Sequence, residues 1–382
     1  MPIRVVIAGG GTGGHLYPGI ALAKALMKHS SDIEITFVGT RQGIEASVLP
    51  REGFKLKTIL SSGLIGKKGV NRWISWCKLP AGLAQSLCFL VRNKPDLAVG
   101  VGGYASGPLV LSAWVLRIPI LIHEQNVVPG VTNKWLGKIA DRVAVSFKES
   151  LRYFPSRKTV HTGNMIREEI CELQEAAPAE KPERFVVLVL GGSQGAHSIN
   201  KGMVQALDHL SDLRDSLHFI HQTGTRDADE TRAEYERKGF SAEVQPFIFD
   251  VAEAYRKAAL VICRAGATTL AEISACGKVS VLIPFPYAAH GHQEQNARVI
   301  EAAGAGEAIL DRDVTGESLS SAIRGAMQDP ERMKEMSENS YSLGNRDAAE
   351  KVKQMCLELL ETARGMTQTD GNSIKKSRLS CF

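Results

Sequence analysis

Three clusters in this 382-residue chain hold side chains that do chemistry. The first ends in a single imidazole, His15, after Gly9-Gly10-Gly11-Thr12-Gly13-Gly14. An imidazole with an unperturbed pKa of about 6.5 suits a general base near neutrality. Bare N–H groups at a glycine turn that opens a helix suit a phosphate. The second cluster is His123-Glu124-Gln125-Asn126, four polar residues directly after an apolar run, where open α/β sheets place their ligands. The third is Arg264-Ala265-Gly266-Ala267-Thr268-Thr269-Leu270-Ala271-Glu272, whose small residues let a diphosphate approach a new helix. Glu272 follows one turn later, where a carboxylate accepts both hydroxyls of a ribose. Each cluster has a plainer reading: a steric glycine turn, a set of loop hydrogen bonds, and a first-turn helix charge.

Metal chemistry is disfavoured. His290 and His292 lack a neighbouring carboxylate or cysteine set and read as hydrogen-bonding loop residues. Asp311-x-Asp313 lies among turn residues and reads as solvated. The seven cysteines are scattered, none within four positions of another, which excludes zinc spacing and points to reduced thiols in a cytoplasmic chain.

Parallel strands buried on both faces read as short apolar runs, and six such runs fill the first half. They are Val5–Ala8, Ile33–Val38, Phe54–Leu60, Leu97–Val101, Ile118–Ile122 and Arg142–Val145. Helices are expected over Tyr17–His29, Glu45–Arg51 and the leucine-rich stretch ending at Arg92, and Gly107-Pro108 marks another helix start. Gly9, Gly11 and Gly14 fit a dinucleotide-binding turn, but a nicotinamide fold needs an acid at the end of its second strand. Here that strand ends Gly39-Thr40-Arg41, so NAD is disfavoured. The polar stretch Glu175–Glu183 is a linker.

The plan then repeats. The strand Phe185–Leu190 runs into Gly191-Gly192-Ser193-Gln194-Gly195 and a helix over His197–Leu210, about 180 residues after the first such opening. Strands over Leu217–Gln222, Ala242–Ile248, Leu260–Cys263 and Val279–Ile283 follow, Asp250 caps a helix to Lys257, and the chain is helical from Glu317 to Ala363. The expected fold is α/β: two Rossmann-like domains of doubly wound parallel sheet, residues 1–165 and 184–345, facing across a cleft. A C-terminal helix over 346–364 and a disordered, basic tail over 365–382 complete the chain.

The formal net charge of +5 suits an anionic partner without specifying one. The N-terminus enters a strand at once, leaving no room for a signal peptide. The longest apolar run is broken by Arg117 and Pro119, so no membrane span is expected. Lys67, Lys68, Trp73 and Trp76 form either a patch for an anionic membrane surface or a core helix with a basic edge. No basic face recurs elsewhere, which disfavours nucleic acid.

The glycine turn with His15, Gly102-Gly103-Tyr104, His123-Glu124-Gln125-Asn126, Gly191-Gly192-Ser193-Gln194-Gly195, Ala267–Glu272 and His292-Gln293-x-x-Asn296-Ala297 together closely resemble the MurG family. These are bacterial UDP-N-acetylglucosamine transferases that make lipid II from lipid I, and the resemblance runs from about Pro2 to about Leu360. It implies a GT-B fold, with the acceptor on the N-terminal domain and the UDP-sugar mainly on the C-terminal one. It further implies that the Ile248 backbone meets uracil and Glu272 the ribose. Ser193 and the helix start Ala267, Thr268, Thr269, Leu270 and Ala271 hold the diphosphate. Asn126 and Gln293 address N-acetylglucosamine, Arg167 contacts the donor, and Thr12-Gly13-Gly14 closes over it. Gly10, Gly11, Gly103, Tyr104, His123 and Glu124 fall on the acceptor side, with His15 either base or acceptor ligand.

No cofactor and no metal are implied. The implied location is peripheral, on the cytoplasmic face of the bacterial inner membrane, with a cell-wall synthesis complex as a candidate partner. Two positions depart from the family's pattern: Ala289-His290-Gly291 where an acid is common, and Lys278-Val279 where leucine-proline is usual. Other readings are a different GT-B nucleotide-sugar transferase, a UDP-sugar epimerase of similar build, or a non-catalytic UDP-sugar-binding protein.

Overall fold

The computed structural model of the chain describes residues 2–61, 70–174, 183–192, 194–288 and 291–368. Two compact units emerge, one from Met1–Gln125, Pro129–Met165 and Asp347 onward, the other from Asn126–Val128 and Ile166–Arg346.

The first unit holds β1 (Ile3–Ala8), β2 (Ile33–Gly39), β3 (Lys55–Thr58), β4 (Leu97–Gly100), β5 (Ile120–Glu124), β6 (Arg142–Val145) and β7 (Thr159–His161). All pair in parallel, in the order β3-β2-β1-β4-β5-β6-β7. Seven strands stand where six were expected, because β7 is a three-residue edge too short to show a pattern. Alternation along β1 divides the core between two faces: Val5 and Ile7 join one apolar cluster, Val6 and Ala8 the other. Helices α1 (Gly13–His29), α2 (Glu45–Arg51), α3 (Val70–Asn93), α4 (Ser106–Val115) and α5 (Val131–Ile139) connect the strands. The helix expected from Tyr17 starts at Gly13 instead. Thr12 is its extended N-cap, so His15 lies in the first turn.

The second unit begins with α6 (Glu168–Cys171) and holds β8 (Phe185–Leu190), β9 (Leu217–Gln222), β10 (Ser241–Gln245), β11 (Leu260–Cys263), β12 (Val279–Leu282) and β13 (Gly306–Ala308). They form a parallel sheet in the order β10-β9-β8-β11-β12-β13. Its helices are α7 (His197–His209), α8 (Ala228–Arg237), α9 (Val251–Lys257), α10 (Ala267–Ala275), α11 (His292–Ala302), α12 (Gly316–Gln328) and α13 (Pro330–Leu343). As expected, Asp250 caps α9, its side chain accepting from Glu253 N. The final helix, α14 (Ala348–Gln368), belongs to the first unit: Val352, Cys356 and Leu360 complete the Val5/Ile7 face of that core.

Among the described residues no helix is long and apolar enough to cross a membrane. Lys67, Lys68, Ser193, His290, most of the expected linker and all of the chain from 369 lie outside the described residues, while residues 365–368, expected in the disordered tail, instead close α14. So do the side chains of Trp73 and Trp76.

Candidate active site

In the first unit the strand order reverses between β1 and β4, and open sheets bind ligands beyond the carboxyl ends of strands at such a switch point. Both strands end in glycines that take positive φ: Gly10 at 137° and Gly11 at 87°, Gly102 at 90° and Gly103 at 78°. The two turns need that freedom because they nearly touch. A Cβ on Gly103 would stand 2.3 Å from the Gly10 carbonyl, and one on Gly102 2.5 Å from His15 Nδ1. Tyr104, on the second turn, is 58% exposed, and Thr12 on the first is also exposed.

The acid missing from the end of β2 arrives through space instead. Glu45, at the start of α2, is fully buried. One carboxylate oxygen accepts the Gly11 N–H at 2.7 Å; the other accepts the Thr40 N–H at 2.7 Å and its hydroxyl at 2.9 Å. The anion that a glycine turn invites is therefore the protein's own side chain. A ribose acid at the end of β2 is replaced by a carboxylate that ties β2 to the first turn. Sequence reasoning placed Glu45 on a helix but assigned it no role.

His15 heads a chain of hydrogen bonds. Its Nδ1 lies 3.1 Å from Gln125 Oε1; Gln125 Nε2 donates to the Val101 carbonyl at 2.8 Å and lies 3.0 Å from His123 Nδ1. His123 Nε2 reaches the Gly163 carbonyl and Ser146 Oγ, each at 3.3 Å. Burial lowers the His15 pKa from its ordinary 6.5, partly opposed by the Gln125 and Val101 oxygens. Burial holds His123 down to about 4, opposed by Gly163, with His15 a smaller lowering influence.

His123 and Glu124, expected at the strand's end, lie within β5 and are sealed from solvent at 0% and 1% exposure. The Glu124 carboxylate accepts from Gly130 N at 3.3 Å and Asn133 Nδ2 at 2.9 Å, ordering the turn after the strand. These two side chains stand behind the site rather than on its surface.

In the second unit the switch point falls between β8 and β11. Gly192 and Gly195 take φ of 81° and 77° after β8. Gln222, at the end of β9, donates to the Gly192 carbonyl at 2.9 Å and accepts the Ile248 N–H at 2.9 Å, linking the glycine turn to the expected uracil position. After β11, Gly266 is an N-cap without a side chain, and the first turn of α10 carries no acid, so its N–H groups suit an anion. The structure brings Glu272 and Arg167 together directly. Glu272 Oε1 accepts from Arg167 Nη2 at 2.7 Å and Nε at 3.1 Å, and Oε2 accepts from Tyr255 OH at 3.2 Å. Glu272 is 3% exposed, so its charge is satisfied by that pairing. Tyr255 went unnoticed in the sequence.

Asn126 Oδ1 accepts from Asn296 Nδ2 at 3.1 Å, and Asn296 Oδ1 accepts from Val127 N at 3.0 Å, so residues 126–127 are pinned to α11. Gln293 Oε1 accepts from Phe285 N at 2.9 Å, which orients its NH2 group as the donor a sugar hydroxyl would meet. Asp311, expected to be solvated, instead pairs with Arg264 and accepts from Ser198 Oγ at 2.6 Å. Arg264 also donates to Ser198 Oγ, tying the start of the α10 turn to α7 across 66 residues, which local turn composition does not reveal. Lys278, where the family's pattern has leucine, donates to the Ala258 carbonyl at 2.8 Å and so caps the end of α9. Burial pushes the thiols of Cys263, Cys276 and Cys356 up to about 12, which disfavours the thiolate form there. Among the described residues no group of three or more His, Cys, Asp or Glu could hold a metal ion.

Two doubly wound sheets, each with a glycine turn at its switch point, give the chain a GT-B-type fold. The glycosyltransferase family 28 N-terminal domain matches residues 5–145 and the glycosyltransferase family 28 C-terminal domain residues 186–352. Similar proteins include the UDP-N-acetylglucosamine–N-acetylmuramyl-(pentapeptide) pyrophosphoryl-undecaprenol N-acetylglucosamine transferases of Myxococcus xanthus and Geobacter metallireducens. The first is 47% identical over 94% of this chain and 93% of the relative, the second 47% over 92% and 97%. The crystal structure of Acinetobacter baumannii MurG superposes with a TM-score of 0.74 at 29% identity, covering 94% of this chain and all of that one. A UDP-GlcNAc 2-epimerase from Neisseria meningitidis shares the fold, with a TM-score of 0.65 at 13% identity over 94% of this chain and 100% of its own. The chain belongs to glycosyltransferase family 28 and, within it, to the MurG family.

Proposed function

We infer that the chain transfers N-acetylglucosamine from UDP-N-acetylglucosamine to the 4-hydroxyl of the muramoyl sugar of lipid I, giving lipid II with inversion at the anomeric carbon. The observation that carries this reading is near-full-length identity of 47% with transferases of that name, spanning both units.

The chemistry needs a base, a held leaving group and an oriented sugar. His15 takes the proton from the attacking hydroxyl as the new C–O bond forms; the bond to UDP breaks and its electron pair leaves with the diphosphate. The N-terminus of α10, Ala267 to Ala271, and Ser193 stabilise the departing diphosphate without requiring a metal. Glu272 accepts the ribose hydroxyls, and Arg167 moves its charge toward the donor when they arrive. The Ile248 N–H is committed to Gln222, which leaves the carbonyl of Ile248 to address the uracil. Asn126 and Gln293 orient the N-acetylglucosamine, with Thr12, Gly13 and Gly14 completing the donor contacts. Gly10, Gly11, Gly103 and Tyr104 form the acceptor surface, backed by His123 and Glu124. Since the Gly11 N–H is bonded to Glu45, the acceptor diphosphate is expected at the start of α1 rather than at that amide.

The enzyme acts from the cytoplasmic face of the bacterial inner membrane as a peripheral protein, held through Lys67, Lys68, Trp73 and Trp76. Vesicle flotation tests this: replacing all four without loss of binding to anionic vesicles removes the assignment. For the reaction, labelled UDP-N-acetylglucosamine is incubated with a short-chain lipid I analogue, with and without chelator. A disaccharide-lipid product formed equally in both is expected. Donor turnover without lipid product would favour an epimerase, and donor binding without turnover a non-catalytic protein.

A further inference from the structure

The polar chain behind His15 contains enough one-way hydrogen bonds to fix every proton in it. The Val101 carbonyl only accepts, so the group 2.8 Å from it must be the Gln125 NH2, which settles the orientation of the amide. Gln125 Oε1 then faces His15 Nδ1 at 3.1 Å, and an amide oxygen only accepts. The proton of the neutral His15 ring must therefore sit on Nδ1, with the lone pair on Nε2. The second N–H of Gln125 points at His123 Nδ1 at 3.0 Å, which makes that atom the acceptor and His123 Nε2 the donor toward Gly163 and Ser146. Backbone carbonyls anchor the chain at Val101 and Gly163. An amide neither takes nor gives a proton near neutrality, so the chain orients His15 without relaying a proton away from it.

We propose that Gln125 is the positioning residue for the base: its amide fixes His15 as the Nδ1–H tautomer and presents Nε2 as the one basic nitrogen. This rests on His15 being the base. In the reaction the hydroxyl proton moves to Nε2 while the attacking oxygen bonds to the anomeric carbon and the C–O bond to UDP breaks. The resulting imidazolium keeps its Nδ1–H on Gln125 and returns the Nε2 proton to solvent. A carboxylate in place of Gln125 would stabilise the imidazolium and raise the His15 pKa, leaving less neutral ring at a given pH; the neutral amide does not. The titratable groups on the surrounding segments fit this. His123 of β5 lies across Gln125 and is held neutral by burial. Glu45 of α2 is bonded to Gly11 and Thr40, Glu124 of β5 to Gly130 and Asn133, and Tyr104 on the β4–α4 turn is exposed.

The direct test is long-range proton–nitrogen NMR of the full chain with labelled histidine, the His15 signals being assigned by their loss in His15→Gln. Wild type is expected to show His15 as Nδ1–H; an Nε2–H ring overturns the proposal. Gln125→Leu should lose that tautomer preference and lower kcat about 10- to 100-fold, the scale typical of partners that orient a reacting group, with the donor KM within about twofold. Gln125→Glu should move the acid limb of kcat upward by about one pH unit or more. Wild-type kcat in Gln125→Leu, or an unmoved limb in Gln125→Glu, overturns the positioning role. If His15→Gln keeps wild-type kcat, the base assignment itself fails, an outcome separate from the others. Should either Gln125 variant not fold, the wild-type tautomer still decides.

Discussion

Removing the carboxylate beneath the first glycine turn should relax three glycines at once. Glu45 accepts three hydrogen bonds, and Cβ atoms on Gly10, Gly39 and Gly43 would stand 2.4, 2.6 and 1.9 Å from atoms of its side chain. In Glu45→Ala, the Gly11 and Thr40 amides and the Thr40 hydroxyl lose an ionised acceptor, a loss of about 1.5–3 kcal/mol per bond when no water replaces it. Gly11 and Thr40 are only half-buried, so water recovers part of this, and a net cost of about 2–4 kcal/mol to the first unit is expected. Gly43→Ala in the wild-type background forces the carboxylate aside and costs about 1–3 kcal/mol, as overpacking does. With Glu45 already alanine, the atoms nearest the new methyl are gone and most of that cost should vanish.

The assay is a double-mutant cycle by urea unfolding, with hydrogen exchange followed at the Gly11 and Thr40 amides. A coupling energy of about 1–3 kcal/mol and lost protection at both amides are expected. If the two substitutions add within about 0.5 kcal/mol, the carboxylate is not what those glycines make room for. UDP-N-acetylglucosamine affinity should fall only modestly in these variants, because Glu272 and its partners lie in the other unit and only the Thr12–Gly14 contacts follow the Gly11 turn.

Three further outcomes follow from the same geometry. Glu272→Ala should weaken UDP-N-acetylglucosamine binding by about 10- to 100-fold, about the value of one or two charged hydrogen bonds; isothermal titration that finds unchanged affinity removes Glu272 from the ribose site. Because His123 is neutral and buried, its folded pKa of about 4 lies below the unfolded value near 6.5. The unfolded chain therefore binds the extra proton first, and stability falls as pH drops from about 6.5 to about 4, by about 3 kcal/mol from this residue; His123→Asn should flatten that dependence in denaturation measured across the window. For His15, whose pKa is lowered by burial, kcat should rise with pH along a limb centred below 6.5, since only the neutral ring accepts the proton; a limb above 6.5 contradicts that reading.

Much of the fold is legible because parallel strands buried on both faces announce themselves as apolar runs: β6, β8, β9 and β11 fall where the sequence places them. The short edge strands β7 and β13 are not legible, having three residues each and little apolar content. Helix α8 is missed for a related reason. It is polar almost throughout and anchored by Ala228, Thr231 and Tyr235, so no stripe stands out.

At the site, residue types were legible and partnerships were not. His15 and Glu272 stand out by motif and Arg167 only through the family resemblance, but Arg167 meets Glu272 across 105 residues and Glu45 meets Gly11 across 34. The rule that looks for an acid at the end of β2 found none because the acid enters from the next helix. Similarly, the buried state of His123 and Glu124 depends on β5 running two residues beyond its apolar core, which the polar side chains themselves concealed.

The proposed division of labour between the two units is tested most directly by measuring, for His15→Ala, both UDP-N-acetylglucosamine affinity and single-turnover transfer to a short-chain lipid I analogue. Transfer reduced about 10²- to 10⁴-fold with donor affinity within about twofold of wild type is the expected result. Parallel losses in affinity and transfer, or transfer at the wild-type rate, would contradict it.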